Sequence, residues 1–338
     1  MIDLIHKAIM KFLKSSQEIR NIFELLGDDE NAISMSIAWA MHHCKALARS
    51  IVFNMLEILE MDEENLDIKV QTSETDKGIT DIEITDYNHF HIIIEAKKGW
   101  ELPPLDQLNK YAFRASFREK SAAKVKALVT LSECSRIYAD HYQATHLIDG
   151  IPVIHISYSE IHQAIDEVYS IVSHQEKHLL LNLQNYLERF INMQKQNSNE
   201  VLVVSLGRSK PDGCELSWID IVEKKGVYFH PVGQGWPKEP LNYIAFRYDG
   251  VLKSIHHIEG YHVTRTIHEH IHEVPEYEEE FPHFIYRIGP AIKPSHVVPT
   301  GDKILWNARR WCYIDTLLTS RSISEAYEIS NRRKKAQD

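Results

Sequence analysis

The sequence predicts an α/β protein built on a mixed sheet, followed by a second, β-rich α+β domain. Three observations carry this. Apolar residues recur at helical spacing up to about Leu59 and then alternate from Leu66 onward. The elements through Ile156 run helix, three strands, helix, strand, helix, strand, which calls for a mixed central sheet. A polar stretch at Gln194–Glu200 then separates this part from a C-terminal region dense in short strands.

In chain order, Ile2, Ile5, Ile9 and Leu13 suggest a short helix. Ile33, Ile37, Met41, Cys44, Ala48, Ile51 and Met55 then predict one long amphipathic helix over 29–59, capped by Asp28 or Asp29. Leu66–Val70, Asp81–Thr85 and His91–Lys97 read as strands, with turns at Lys77-Gly78 and Asp86–His89. Pro103-Pro104 opens a second helix predicted to run to about Lys120. A strand at Lys126–Leu131, a helix around His141, a strand at Ile151–Ile156 and helix from Ile161 to Phe190 complete the first domain, expected at 1–193.

The second domain, expected at 200–325, reads as strands at 201–206, 214–222, 227–229, 243–248, 251–258, 263–271 and 283–288. Asp249-Gly250 is a hairpin signal. A final helix over 303–318 and a frayed basic tail at 326–338, carrying Arg332-Arg333-Lys334-Lys335, are expected after it.

With 338 residues, 43% hydrophobic and 25% charged, the chain has the composition of a soluble globular protein, not of a disordered chain, a collagen or a coiled-coil rod. No apolar run approaches the roughly 20 residues of a membrane helix, so no membrane partner is expected. Met1-Ile2-Asp3-Leu4 lacks a basic flank and a small-residue cleavage site. Cys44, Cys134, Cys214 and Cys312 are widely spaced, which suits free thiols in a reducing cytoplasm. The net charge of 38 − 48 = −10 argues against coating nucleic acid by bulk attraction. It leaves room for a nucleic-acid enzyme with one local basic face.

The informative pair is Thr80–Ile84 with Ile92–Lys97. Glu95 and Lys97 are two apart on a strand and point to one face, and a hairpin partner brings Asp81 beside them. Two carboxylates and an ammonium on an apolar sheet are costly to bury without a purpose. Such oxygen ligands suit Mg²⁺ or Mn²⁺, and a lysine beside them can orient water and offset transition-state charge.

Asp81, Glu95-Ala96-Lys97 and their strand context resemble the catalytic signature of the PD-(D/E)XK, or restriction-endonuclease-like, nuclease superfamily. The α-β-β-β-α-β order through Leu131 is that fold's core. Glu30 matches the helical glutamate that many members place ahead of the first strand, and Gln107-Leu-Asn-Lys-Tyr111 resembles the Gln-x-x-x-Tyr motif of the RecB-like branch. The likeness covers about Asp28 to Ile156, with Thr80 where the family name has proline. It implies Mg²⁺-dependent hydrolysis of phosphodiesters in DNA, with Mn²⁺ able to substitute. Asp81, Glu95 and the Ala96 carbonyl would hold the metal, and Lys97 would position the attacking water. Glu30 would anchor a second ion or a metal-bound water, and Gln107 and Tyr111 would fix the scissile phosphate. A role in restriction or defence against foreign DNA, and pairing of two chains as a homodimer to cut both strands, belong to the same implication.

Glu30 stands three and seven residues before Ile33 and Ile37, which puts it on the core-facing stripe. Gln107, Tyr111, Arg114 and Arg118 fall at i, i+4, i+7 and i+11, a polar face expected to track a phosphate backbone. Lys98, Lys110, Lys120, Lys124 and Lys126 add the local basic surface. A second Glu-x-Lys, Glu223-Lys224-Lys225 behind Pro211-Asp212, is set aside. Pro-Asp-Gly213 is a turn signature, Lys225-Gly226 reads as the end of a strand, and no Gln-x-x-x-Tyr follows.

His268, His270 and His272 alternate on an expected strand, near His256, His257 and His262, and read as a solvated face rather than a zinc or manganese site. Glu278–Glu280 reads as a solvated loop. Tyr228, Phe229, Trp236, Tyr243, Phe246 and Tyr248 read first as core, and second as a pocket that stacks a base. The competing functional readings are a catalytically silent binding module on a nuclease fold, and a ligand-gated effector. In the latter the second domain senses a small nucleotide, a modified base or a protein partner.

Overall fold

The computed structural model describes residues 11–14, 17–191 and 198–336. The helix expected over Ile2–Ile9, the reading of residues 1–4 and most of the polar stretch from 194 lie outside them. Leu13 pairs in a two-residue antiparallel ladder with Glu18 and is not helical. The chain divides into two compact units, Met1–Asn192 and Met193–Asp338.

In the first unit α1 spans Glu30–His43. It starts where it does because the Asp29 carboxylate accepts the Ala32 N–H at 2.8 Å, satisfying an open donor of the first turn. The single helix expected to run to 59 breaks at Cys44, whose backbone is extended (φ −134°, ψ 92°). It resumes as α2 (Lys45–Arg49) and a π-helical turn over Ser50–Met55. The apolar stripe survives the break: Ile33, Ile37, Met41, Cys44, Ala48 and Ile51 are all buried in one core.

The sheet comprises β1 (Asp67–Glu74), β2 (Gly78–Thr85), β3 (Phe90–Ala96), β4 (Val125–Ser132), β5 (Leu147–Ile148) and β6 (Ile151–Ser157), in spatial order β1-β2-β3-β4-β6-β5. β1, β2 and β3 are antiparallel neighbours, β3-β4-β6 are parallel, and β5 folds back on β6. This is the mixed sheet the sequence predicts. α5 (Arg136–Tyr142) precedes β5. The helix expected from 161 to 190 is two, α6 (Tyr158–Tyr169) and α7 (His174–Ile191).

The β2–β3 turn is built around Asp86. Its buried carboxylate accepts the N–H groups of Asp62 and His89 at 2.8 Å and of Phe90 at 3.0 Å, and lies 2.7 Å from the His89 ring. Burial alone would raise the carboxyl, but these donors outweigh it and hold it below the ordinary 3.8. A depressed carboxyl stabilises the fold above its unfolded pKa and loses that contribution as pH falls through the folded value. Asp86→Ala is therefore expected to cost about 2–3 kcal/mol at neutral pH. The gap from wild type should shrink below pH 3.8, as read by urea unfolding across an acid series.

The helix expected from Pro104 to Lys120 also breaks. α3 (Leu105–Ala112) and α4 (Ala115–Arg118) are separated by Arg114, which is extended at ψ 134° and starts α4. The arithmetic that put Arg114 on one wet face with Gln107 and Arg118 fails for that reason. Its guanidinium is fully buried, donates to the Thr72 carbonyl at 3.0 Å and lies 3.7 Å from both Glu74 and Glu83. Arg114 is thus part of the sheet-to-helix packing and not of an exposed polar face.

The second unit also centres on a six-stranded mixed sheet, formed by β7 (Glu200–Ser205), β8 (Val227–Pro231), β9 (Tyr243–Tyr248), β10 (Val251–Thr264), β11 (His283–Ile288) and β12 (Arg310–Tyr313). Their order is β8-β11-β10-β9-β7-β12, with β7 and β9 parallel and the other neighbours antiparallel. Asp249 and Gly250, at φ 52° and 76°, make the β9–β10 hairpin turn.

Four expectations are corrected here. Residues 214–222 are a turn leading into α8 (Trp218–Lys225), fixed by a Ser217–Asp220 capping box and closed by left-handed Gly226. The strands expected at 251–258 and 263–271 merge into β10, whose pairing shifts between Ile258 and Gly260, followed by a 3₁₀ turn. The helix expected over 303–318 is loop, then β12 and α9 (Ile314–Thr319). The expected frayed tail is α10 (Ile323–Lys335), which buries Ile323 and Ala326 against Val201, Ala245 and Leu317. The four cysteines are buried free thiols. No helix among the described residues is long and apolar enough to cross a membrane.

Candidate functional site

Alternation along β2 and β3 creates the site. Ile82, Ile84, Ile92, Ile94 and Ala96 turn into the core shared with α1, α6 and α7. Asp81, Glu83, His91 and Glu95 have the opposite parity, and all four are buried. Buried carboxylates must find partners, and those partners define the geometry.

Asp81 Oδ2 accepts the Ala96 N–H at 2.8 Å, which ties β2 to the end of β3. Its Oδ1 accepts the Gln71 side-chain amide at 3.1 Å. Glu95 Oε1 accepts from Lys97 Nζ at 2.7 Å and from the Gln107 amide. The Tyr111 hydroxyl lies 2.8 Å from Glu95 Oε2 and 2.7 Å from the Ile79 carbonyl, so its one proton serves one acceptor at a time. Lys97 Nζ also donates to Glu30 Oε2 at 3.3 Å, and Glu30 Oε1 accepts the Lys98 N–H at 3.1 Å. The Lys97 backbone is pinned on both sides. Its N–H donates to the Leu131 carbonyl at 2.7 Å, and its carbonyl accepts the Tyr158 hydroxyl at 2.8 Å.

The charges are unbalanced. Burial and the Asp81 charge push Glu95 above the usual carboxylate range despite Lys97, and burial pushes Asp81 up despite the Ala96 N–H. Burial alone would lower the Lys97 ammonium, but Glu95 and Glu30 outweigh it and keep it charged. Burial and the Glu95 charge raise the Tyr111 phenol, so it stays protonated. Three carboxylates thus share one ammonium, because the neighbouring Lys98 is paired with Asp28 at 3.5 Å.

A hard-oxygen donor set with surplus negative charge fits Mg²⁺ or Mn²⁺. No trio of His, Cys, Asp or Glu among the described residues converges as a closed metal cluster. Mg²⁺ does not require one, since it keeps several waters and takes one or two carboxylates plus substrate phosphates.

The structure brings Asp81, Glu95, Ala96, Lys97, Glu30, Gln107 and Tyr111 together, with two differences from the sequence reading. Glu30 is not on the core-facing stripe: it sits in the first turn of α1, its side chain 38% exposed, turned to Lys97. Tyr111 is 2% exposed and, with Gln107, grips Glu95, so in this structure the pair orients a carboxylate. Lys110 is exposed at the end of α3. Lys98 is partly exposed, and Arg118 is half-exposed and paired with Asp149.

Two residues escaped the sequence reading. Gln71 adopts a left-handed backbone (φ 51°) and bridges Asn31 on α1 to Asp81. Tyr158 steadies Lys97 from 61 residues away in sequence, a distance no local motif spans. The rejected Glu223-Lys224-Lys225 lies on α8, where Lys224 pairs with Asp220 and Lys225 with Glu273. His268 belongs to a 3₁₀ turn, not a strand, and its ring lies 2.6 Å from the Val274 carbonyl.

No curated protein and no solved structure matches the chain. A family model does, that of the PD-(D/E)XK nuclease superfamily, over residues 20–188, half of the chain. That span contains the whole sheet and every residue of the carboxylate–lysine cluster. The chain belongs to the PD-(D/E)XK nuclease superfamily.

Proposed function

We propose that the protein is a Mg²⁺-dependent nuclease that hydrolyses phosphodiester bonds in DNA, with Mn²⁺ able to replace Mg²⁺. The observation that carries this is the Lys97 ammonium held between Glu95 and Glu30, beside an Asp81 tied to the Ala96 N–H. Asp81, Glu95, the Ala96 carbonyl and Glu30 are the groups that would hold the ion. When bound, the ion supplies Lewis-acid polarisation of phosphoryl oxygens.

The remaining work falls to the chain. Lys97 orients the attacking water and offsets charge developing on the phosphoryl group. Gln107 and Tyr111 fix the Glu95 carboxylate, and Tyr158 fixes the Lys97 backbone. Lys110 contacts the flanking phosphates, and Lys98 and Arg118 join it on leaving Asp28 and Asp149. Cutting both strands with one site per chain calls for two chains acting together. The family likeness supports a setting in restriction or defence against foreign DNA. Four buried free thiols suit a reducing cytoplasm.

Nicking of supercoiled plasmid in Mg²⁺, in Mn²⁺ and in EDTA tests the reading. Absence of metal-dependent cleavage of DNA would remove it, and cleavage of RNA alone would change the substrate. Metal binding has a second readout. Wild type is expected to gain roughly 2.7 kcal/mol when Mg²⁺ stands a hundredfold above its dissociation constant. Asp81→Asn should gain much less, as thermal melts with and without Mg²⁺ would show.

A further inference from the structure

The second unit holds a cavity that the nuclease chemistry does not use. Its volume is about 580 Å³, within the range of small-ligand sites. Trp236 forms one wall. His230 stacks on it at 4.6 Å between ring centroids and 10° between planes, and the Arg309 guanidinium lies 3.9 Å from the indole centroid. Trp306 stands at the rim, 81% exposed.

An exposed tryptophan beside a stacked ring pair is either loose loop decoration or a prepared surface, and Arg247 decides between them. That arginine is 5% exposed and has no carboxylate partner among the described residues. The carbonyls of Leu305, Trp306 and Ala308 instead lie 2.8, 3.0 and 3.0 Å from its Nη2 and share its two N–H groups. Burying a guanidinium without a counter-charge is costly. Here the cation is committed to shaping the loop that presents Trp306, Asn307 and Arg309 to the cavity.

His230 adds a second sign. Its Nδ1 lies 2.7 Å from the Pro231 carbonyl, while Nε2 is buried without a hydrogen-bond partner among the described residues. Burial pushes the imidazole down to about 3, so the ring that stacks on Trp236 is neutral.

We propose that this cavity binds a nucleobase carrying a phosphate. Indole faces stack any base, as in sequence-tolerant single-strand binding. Asn307 offers both donor and acceptor to a base edge, and Asp212 and Glu279 offer acceptors to exocyclic amines. Arg309 and Lys210 supply the cations for a phosphate. The two cations are matched by the two carboxylates, so the cavity suits a single nucleotide unit and not a long polyanion. That unit has two sources, a free nucleotide or a nucleotide swung out of a strand.

The test needs no cleavage and is made on the full chain in EDTA, so its failure is separate from that of the nuclease reading. Intrinsic tryptophan fluorescence is followed while nucleoside monophosphates, and then a short DNA single strand, are titrated into three proteins. These are wild type, Trp306→Ala and Trp39→Ala, the last removing an exposed tryptophan of the first unit. Both variants truncate exposed side chains, so folding is not at stake. Saturable binding that weakens about tenfold or more in Trp306→Ala and not in Trp39→Ala is the expected result. Saturation by monophosphates identifies a free nucleotide, and saturation by the strand alone identifies an extruded one. No saturable binding of either probe up to millimolar concentration, or equal affinity in wild type and Trp306→Ala, overturns the proposal.

Discussion

Lys97→Ala is expected to lower Mg²⁺-dependent DNA cleavage by roughly 100- to 1,000-fold, the scale of losing one preorganised donor at a charged transition state. The size follows from its isolation. Among the described residues no second cation stands ready to replace it, since Lys98 is engaged by Asp28 and Arg114 is buried against Glu74 and Glu83. The same change leaves Glu95 facing Asp81 without its ammonium, which pushes both carboxyls further up. Lys97→Met keeps the aliphatic stem and separates loss of charge from loss of packing, with circular dichroism and melting temperature monitoring the fold. Lys225→Ala is the internal control. That residue belongs to the other Glu-x-Lys and, like its partner Glu273, lies in the second unit, so cleavage should be unchanged. Loss of activity in Lys225→Ala with retention in Lys97→Ala would place the chemistry at Glu223-Lys224-Lys225 and not at Glu95-Ala96-Lys97.

The site was readable because its logic is local. A two-residue strand period and one short hairpin turn are enough to put Asp81, Glu95 and Lys97 in one place, and both are visible within 17 residues of sequence. The mixed sheet was readable for the same reason. Where the sequence misled, tertiary contacts decided the outcome. Cys44 lies on an unbroken apolar stripe, yet its backbone leaves the helix, and periodicity does not register that. Trp218-Ile-Asp-Ile-Val222 is a short apolar run that suits strand or helix equally. The Ser217-x-x-Asp220 cap before it and Gly226 after it were the signals that favoured helix. Gln71 has no such signal, because its left-handed backbone and its bridge from α1 to Asp81 exist only once the sheet is assembled.

Arg114→Met is expected to destabilise the first unit by about 3–5 kcal/mol at neutral pH, the scale of removing one partner from a buried ionic group. The side chain is 0% exposed and is the cation nearest two carboxylates. Glu83 is 4% exposed and, among the described residues, otherwise meets the Thr80 hydroxyl at 2.8 Å and the His91 ring at 3.6 Å. Burial would raise Glu83, yet His91, Thr80 and Arg114 together hold it below the ordinary 4.5. Its contribution is therefore present above that pH and lost as pH falls through the folded value. Glu83→Gln in the Arg114→Met background should recover part of the loss by removing the stranded charge, giving a coupling energy in a urea double-mutant cycle. DNA affinity in EDTA separates this structural role from the phosphate contact the helical spacing suggests. Arg114→Met at a temperature where it stays folded should leave the salt dependence of binding unchanged. Lys110→Ala, exposed on α3, should lower the slope by about one. An Arg114→Met protein as stable as wild type but weaker on DNA would show that the guanidinium leaves the sheet to meet a phosphate, and that the break between α3 and α4 serves binding and not packing.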